Sequence, residues 1–460
     1  MNVIGISALF HDAACCVLRD GVLKAAVQEE RFTRVKHDPS MPSHSFLYCL
    51  KEAGLTIGDI DCVAYYEDPQ AKLARQLWSG IPDISEKTLE QLSPGRVVGE
   101  IREKLGFEGP VRFVDHHRSH AASSFYFSGF RSAAILTVDG VGEWTTTAYG
   151  LGRDRQIDLF EEVNFPHSIG LLYSTLTSYL GFEVNEGEYK VMGLAPYGKP
   201  VYADHIRQLI RSRPGGQFVL DMQYFDFLDN QRMYSDAFAG LLGKPPRPAG
   251  APVTQFHKDV ARSLQYVLEE ILLEKVAYLH ARTGEKNLCM AGGVALNCVA
   301  NGRILREGPF EKLFVQPAAN DSGGALGAAA EAYISLTGQW PAPQPLADAY
   351  LGPGYGPEEI VRLLEGSGVQ ARDFRDAPGE LLGETARRLA DGKVIGWFQG
   401  RMEFGPRALG NRSILADPRD PSMRDRVNAM VKKREGFRPF APAVMEDKAR
   451  EHFDLDHPSP

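Results

Sequence analysis

A strand, a polar turn and a returning strand occur twice in this chain, and that repetition constrains the fold more than any other feature. In the first copy Val3-Ile4-Gly5-Ile6-Ser7 reads as an apolar strand, His11-Asp12-Ala13-Ala14 as the turn, and residues 15–18 as the returning strand. Asp20-Gly21 is a two-residue hairpin signal, and 22–27 continue the meander. In the second copy residues 133–138 form an apolar strand that ends in Asp139-Gly140-Val141-Gly142-Glu143, and 145–151 return from it. A strand and a polar turn of this kind can wrap a phosphate with backbone N–H groups, although an ordinary β-hairpin looks the same. Two copies, at 5–12 and 138–147, are what the halves of a duplicated nucleotide-binding α/β fold show. A length of 460 residues is also too long for one ordinary core and predicts two or three domains.

Between the copies stands Val114-Asp115-His116-His117-Arg118-Ser119-His120. Residues 111–114 read as a strand and 121–127 as a helix leaving it. If that helix begins near Asp115, His116 and His120 lie four apart on one face, where two imidazoles can hold one divalent ion. Asp139 is the oxygen ligand such a pair needs, and Asp321, in the run 315–327, is either a fourth ligand or the N-cap of a small-residue helix. A His/carboxylate set suits Fe, Mn, Zn or Co better than Ca or Mg. The bland alternative is that these histidines cap a helix and bond to loops.

Further along, 29–37 are densely charged and read as a solvated surface run. Residues 186–198 are glycine-rich with one lysine, Lys190, and 199–253 read as an excursion before a long amphipathic helix at 256–280. The strand 287–290 runs into Gly292-Gly293-Val294-Ala295-Leu296-Asn297, which fits either close backbone approach to a nucleotide or a tight turn with no ligand. Residues 339–358 shift to Pro, Gly and Ala and read as a domain linker. Beyond them Arg407, Lys432 and Arg438 are interleaved with Gly, Pro and aromatics instead of lining a helix face, the texture of a phosphate pocket.

An apolar content of 43% and a charged content of 24% are those of a folded chain, and a net charge of −8 without a basic block argues against nucleic acid as a partner. No run approaches the length of a membrane span, and the start has no basic region or cleavage site. The six cysteines are scattered through apolar segments without a Cys-x2-Cys pair, as in a reducing compartment. The expectation is a cytoplasmic protein with no membrane partner, and a homodimer is the default among assemblies.

Six ordered motifs carry a resemblance: Val-Asp-His-His-x-x-His at 114–120, Val-Asp-Gly at 138–140, Glu-Tyr-Lys-Val-Met-Gly-Leu-Ala-Pro-Tyr-Gly at 188–198, Ala-Gly-Gly-Val-Ala-Leu-Asn at 291–297, Gly-Pro-Arg-Ala-Leu-Gly at 405–410 and Arg-Pro-Phe-Ala-Pro at 438–442. With them the chain resembles the NodU/CmcH-type O-carbamoyltransferases of antibiotic, toxin and nodulation-factor biosynthesis. The resemblance implies an actin/Hsp70-like domain over 1–340, a linker at 341–358 and a YrdC-like α/β domain over 359–460. It implies that carbamoyl phosphate and Mg-ATP give carbamoyl-adenylate in the second domain, and that a small-molecule alcohol then displaces AMP in the first. It assigns a metal, usually Fe, to His116, His120, Asp139 and Asp321. It assigns nucleotide contacts to Lys190, Gly292, Gly293 and Asn297, and phosphate contacts to Arg407, Lys432 and Arg438. His11 and Lys36 match positions near the transfer site, with His11 a candidate base. Family members usually continue well past the Arg-Pro-Phe segment, so the YrdC-like part is expected to be incomplete. Two other readings use the same first domain: a tRNA threonylcarbamoyl transferase or metal hydrolase, and a non-catalytic actin-like nucleotide switch.

Overall fold

The computed structural model describes residues 1–79, 93–229, 232–340 and 345–455. The start of the expected linker (341–344), two positions of the excursion (230–231) and the last five residues (456–460) lie outside the described residues. The chain divides into two compact units, Met1–Glu359 with Gln399–Arg412, and Ile360–Phe398 with Ser413–Pro460.

The first unit holds two five-stranded sheets with one topology used twice. Its first sheet comprises β1 (Asn2–Ser7), β2 (Ala14–Arg19), β3 (Val22–Gln28), β4 (Cys62–Tyr65) and β5 (Val111–Phe113) in the order β3-β2-β1-β4-β5. The second comprises β6 (Ser132–Val138), β7 (Thr145–Arg153), β8 (Gln156–Asn164), β11 (Asn287–Ala291) and β12 (Lys312–Val315) in the order β12-β11-β6-β7-β8. In each, the leading strand pairs antiparallel with the meander on one side and parallel with a crossover strand on the other. This is the duplicated α/β arrangement of the actin/Hsp70 class, as the repeated pattern predicts. The meander turns where Asp20 and Gly21 both take positive φ, 52° and 74°. Strands β9 (Ile210–Ser212) and β10 (Phe218–Leu220) form a small separate pair within the excursion.

A helix follows the last strand of each half: His116–Phe125 after β5 and Asp321–Thr337 after β12. The first is rich in His and Ser yet buried at every position but Arg118. Its serines remove the cost of burial by bonding back to helix carbonyls, Ser123 Oγ to His120 O at 2.7 Å and Ser124 Oγ to Ala121 O at 3.0 Å. The second helix is so small-sided that backbones touch it directly. A Cβ on Gly5 of β1 would lie 1.9 Å from Ala325 O, and one on Gly327 would lie 1.7 Å from Ser119 O in the other helix. Arg118 Nε donates to Glu331 Oε2 at 2.9 Å and ties the pair from the side.

The charged run 29–37 is solvated only in part: residues 34–36 are exposed, as its composition predicts, while its first residues turn inward. Glu29 is buried and accepts from His44 N, His44 Nδ1, Ser45 N and Ser45 Oγ at 2.6 to 3.0 Å, and Arg31 donates to Gln28 Oε1 at 2.6 Å and Gly405 O at 2.7 Å. Charges that find such fixed partners leave water without leaving hydrogen bonds unmade. Residues from 345 onward also bond to this unit, with Leu346 N donating to Phe127 O and Ala26 N donating to Leu351 O.

The second unit carries helix Pro378–Ala390 and a two-stranded sheet of β13 (Ile395–Phe398) and β14 (Arg412–Leu415). Buried Asn428 donates to the carbonyls of Arg438 (2.9 Å) and Gly436 (3.3 Å) and accepts from Arg434 Nε (2.6 Å), which shapes the basic loop that follows Lys432. No helix among the described residues is long and apolar enough to cross a membrane.

Candidate metal centre and the polar track beside it

The ends of the two leading strands and the starts of the two trailing helices converge. There His116, His120, Asp139 and Asp321, all buried, bring one ligand atom each to within 4.8 Å of one another. His116 Nε2 lies 3.1 Å from both His120 Nε2 and Asp139 Oδ2, and 3.7 Å from Asp321 Oδ1. His120 Nε2 lies 3.7 Å from Asp321 Oδ1 and 3.9 Å from Asp139 Oδ2. Ligand bonds of about 2.1 Å place neighbouring donors roughly 3.0–3.4 Å apart, so the set is close to the size an ion requires. Both Nε2 atoms point at each other and at two carboxylates, while both Nδ1 atoms are buried without a hydrogen-bond partner among the described residues. This buried His/Asp group can hold a metal ion.

The electrostatics describe the same group without one. Burial works to lower the His116 pKa, but Asp321 and the hydrogen bond that the imidazole donates to Asp139 outweigh it and hold it at about 9. Burial works to raise Asp139 and Asp321, and the facing imidazoles overcome it and hold both carboxyls low. A positive charge is therefore wanted here, from a proton or from a cation. His117, between the two, bonds Thr137 Oγ1 through Nδ1 at 2.7 Å, and burial keeps it neutral.

Neighbouring groups aim the ligands. Gly293 N donates to Asp139 Oδ1 at 2.7 Å. Gly292 takes φ +94°, and a Cβ on it would lie 2.3 Å from Val138 O, so this glycine serves close backbone approach between strands. Asn297 caps the next helix through Ala300 N (3.0 Å) and exchanges hydrogen bonds with Gln265. Glu143 is the contributor that sequence reading passed over. Its carboxylate accepts His116 N at 3.0 and 3.2 Å and Asp68 N at 2.6 Å, capping the His116 helix where Asp115 supplies no side-chain cap. Its one signal in sequence is an acid four residues after Asp139 in the same glycine-rich turn. Glu143→Ala is expected to weaken metal affinity about 10- to 100-fold, and Glu143→Gln, which keeps an acceptor, to retain most of it. A chelator competition titration that left Glu143→Ala at wild-type affinity would refute this anchoring role.

A polar track leaves the group on the side of the β1–β2 turn. His11 Nε2 lies 3.8 Å from Asp321 Oδ2, and its Nδ1 bonds Asp12 Oδ2 at 3.0 Å. Burial opposes a charged His11, but Asp321 and Asp12 prevail and hold its pKa at about 9. The other Asp12 oxygen lies 2.7 Å from His37 Nδ1. Lys36 Nζ donates to Tyr189 Oη at 3.0 Å and pairs with Glu186 at 3.1 Å. Arg407 belongs to this unit and lies over the same Tyr189 ring, 5.6 Å from its centroid. Lys190 stands near Phe182, 5.9 Å from that ring. The structure thus gathers His116, His120, Asp139 and Asp321, sets His11 beside them, and brings Lys36 to Arg407. Lys432 and Arg438 belong to the second unit.

Comparison with known proteins points one way. The family model for the carbamoyltransferase N-terminus matches residues 2–330, and that for the carbamoyltransferase C-terminus matches 386–460. The chain is 46% identical over 479 aligned residues to the uncharacterized protein sll1178 of Synechocystis sp., an alignment covering all of this chain and 78% of that one. It is 42% identical to nodulation protein NolNO of Sinorhizobium fredii, covering 98% of this chain and 64% of NolNO. It is also 42% identical to nodulation protein NolO of Bradyrhizobium diazoefficiens, covering 74% and 60%. The chain therefore spans less than two thirds of either nodulation protein. Among solved structures, T. kodakarensis HypF aligns at 13% identity and TM-score 0.39 over 75% of this chain and 49% of that one, too loose a likeness to add to the topology above.

Proposed function

This chain belongs to the carbamoyltransferase family, and from that premise we propose that it transfers a carbamoyl group to the hydroxyl of a small-molecule natural product. The donor in this reading is carbamoyl-adenylate: water releases carbamoyl phosphate's phosphoryl group as inorganic phosphate, the carbamate left attacks the α-phosphate of Mg-ATP, and pyrophosphate departs; transfer then gives a carbamate ester and AMP. The observation that carries the proposal is the buried His116, His120, Asp139 and Asp321 group with His11 at its edge.

The acceptor oxygen attacks the carbamoyl carbon and forms the new C–O bond. The bond from that carbon to the phosphate oxygen breaks, AMP departs, and the hydroxyl proton goes to a base. His11 is the proposed base: Asp12 holds its Nδ1, which leaves Nε2 directed towards the metal group, and an ion held there would offset the Asp321 charge that otherwise keeps this imidazole protonated. A divalent ion there, Fe by family habit with Mn, Zn or Co suited to the same donors, would stabilise negative charge on the substrate. Arg407, Lys432 and Arg438 are proposed to bind phosphate oxygens, with Lys36 beside Arg407. Lys190 and the turn at Gly292, Gly293 and Asn297 are proposed to face the nucleotide. Residues 359–460 are proposed to contribute the YrdC-like part of the adenylating machinery.

Mass spectrometry of the metal-loaded chain incubated with ATP and carbamoyl phosphate is expected to show pyrophosphate and carbamoyl-adenylate. Supplied carbamoyl-adenylate is expected to release AMP in the presence of alcohol acceptors, and His120→Ala to abolish that release while sparing adenylate formation. A metal-loaded chain that consumes neither donor would overturn the proposal.

A further inference from the structure

The helix Pro69–Trp78 carries Lys72, Arg75 and Trp78 at three-residue intervals, so the three are neighbours along one stripe. Its start is tied to the metal centre. Asp68 caps it through Gln70 N at 2.8 Å, and Asp68 N donates at 2.6 Å to Glu143, the carboxylate that also caps the His116 helix. One end of the stripe lies beside the candidate base: Lys72 Nζ is 4.7 Å from the centroid of the Phe10 ring, and that ring stands 4.4 Å from the His11 imidazole. At the other end Trp78 meets Trp144 edge to face at 5.5 Å and Phe165 at 6.3 Å. Trp144 follows Glu143 in the chain, and Phe165 N donates to its carbonyl at 2.8 Å. The six residues from Lys72 to Trp78 span roughly 9 Å of helix.

Exposure along this stripe is inverted. Trp78 is 59% exposed and Phe10 51%, although burial would favour both rings. Arg75 carries a charge and is only 8% exposed. Its guanidinium lies 5.5 Å from the centroid of the Phe165 ring and makes no hydrogen bond or ion pair with any described residue. Glu67 and Glu143 favour its charge only across space, because Glu67 holds Lys72 at 2.8 Å and Glu143 holds the backbone N–H groups of Asp68 and His116. A buried guanidinium left like this costs stability until oxygen atoms reach it. None of its nitrogens is fully enclosed, so the exposed fraction is the polar end, open to a ligand.

Aromatic faces beside a few convergent donors are the make-up of a small-molecule site. We propose that Arg75, Trp78 and Trp144 form the acceptor subsite, and that its ligand is an elongated alcohol bearing a saturated, oxygen-rich ring roughly 9 Å from the hydroxyl that reacts. This rests on the reaction proposed above. The apolar face of the ring lies against the tryptophans, and the guanidinium, with five N–H donors and no acceptor, bonds to the ring's oxygens. The far end of the molecule then passes Phe10 and presents its hydroxyl to His11. Arg75 and Trp78 touch the acceptor away from the reacting atoms, and so determine which alcohol is held there.

Calorimetric titration of the metal-loaded full chain with one-, two- and three-ring glucosides tests it, with carbamate formation on the same glucosides measured separately. Affinity is expected to rise from one ring to two. Trp78→Ala and Arg75→Met are each expected to weaken the two-ring glucoside about tenfold, with metal content unchanged. Leu47→Ala, at an exposed position of the helix Ser43–Ala53, is expected to leave binding alone. Thermal melts separate binding from support of the fold. Arg75→Met should melt at or above the wild-type temperature, because it removes a buried charge that has no partner. Glucosides bound equally by the wild type and both variants, or by none of the three, would overturn the subsite even if the wild type carbamoylates another alcohol. Binding lost in both variants, from a wild type that forms no carbamate, would keep the subsite and overturn the reaction.

Discussion

Alanine at position 120 is expected to lower carbamoyl transfer by about three orders of magnitude or more, and to empty the metal site. His120 is fully buried and faces three other donors, so no neighbouring side chain or bulk water can take its place. Metal analysis of the purified variant beside an AMP-release assay checks both halves of the expectation. A variant that kept both the ion and the rate would take His120 out of the site, and one that lost the ion but kept the rate would take the metal out of the reaction.

Stripping the ion from the wild type should expose the same electrostatics as a pH effect on stability. Without metal, His116 titrates at about 9 in the folded chain against 6.5 unfolded. A raised histidine pKa stabilises the fold fully below 6.5, and that contribution disappears as pH rises through 9. The span corresponds to about 3 kcal/mol at roughly 1.4 kcal/mol per pH unit. Metal loading has the opposite sign, because protons compete for the same Nε2 atoms: affinity should climb from pH 6.5 to 9. Thermal melts over that window, with chelator and with metal, should therefore diverge. Parallel curves would mean that proton and ion do not share the site.

Gly327→Ala should be the most damaging change that touches no ligand. Its Cβ would sit 1.7 Å from Ser119 O and 2.9 Å from Ser123 N. Neither atom is a side-chain end that can swing away, so one helix must move off the other. Overpacking typically costs about 1–3 kcal/mol, and a backbone-on-backbone clash belongs at or above the top of that range. The displacement also matters for the site, since His116 and His120 ride on one helix and Asp321 on the other. Gly327→Ala is thus expected to lower the urea midpoint and the metal content together. Gly99→Ala, at a helical glycine whose added Cβ would meet nothing within 4 Å, should change neither. Metal content preserved in a destabilised Gly327→Ala would show that the helix spacing does not set the ligand geometry.

What sequence could and could not disclose follows from the range of each signal. The two sheets were legible because strand–turn–strand periodicity is local and repeats. The closeness of His116 and His120 was legible because helical spacing fixes it. Glu143 and His37 were not, because their roles depend on partners brought in by the fold: His116 N lies 27 residues from Glu143, and Asp12 lies 25 residues from His37. Charge density misled at Glu29, where composition speaks for solvent but four donors of two residues, His44 and Ser45 in the helix Ser43–Ala53, await a carboxylate. Arg407 read as part of a phosphate pocket, and only three dimensions join it to Lys36 through Tyr189.

The two trailing helices also make the halves of the first unit depend on each other. The helix that ends the first half lies on the second half's sheet, where Phe125 fills the space over Gly152, and the helix that ends the second half lies on β1 and β2 of the first, at Gly5 and Cys16. Each half has lent its last helix to the other. Cut apart, either half would have a bare sheet face and only two of the four donors. The ion site is thus a property of the joined halves alone, with two histidines from one and two aspartates from the other.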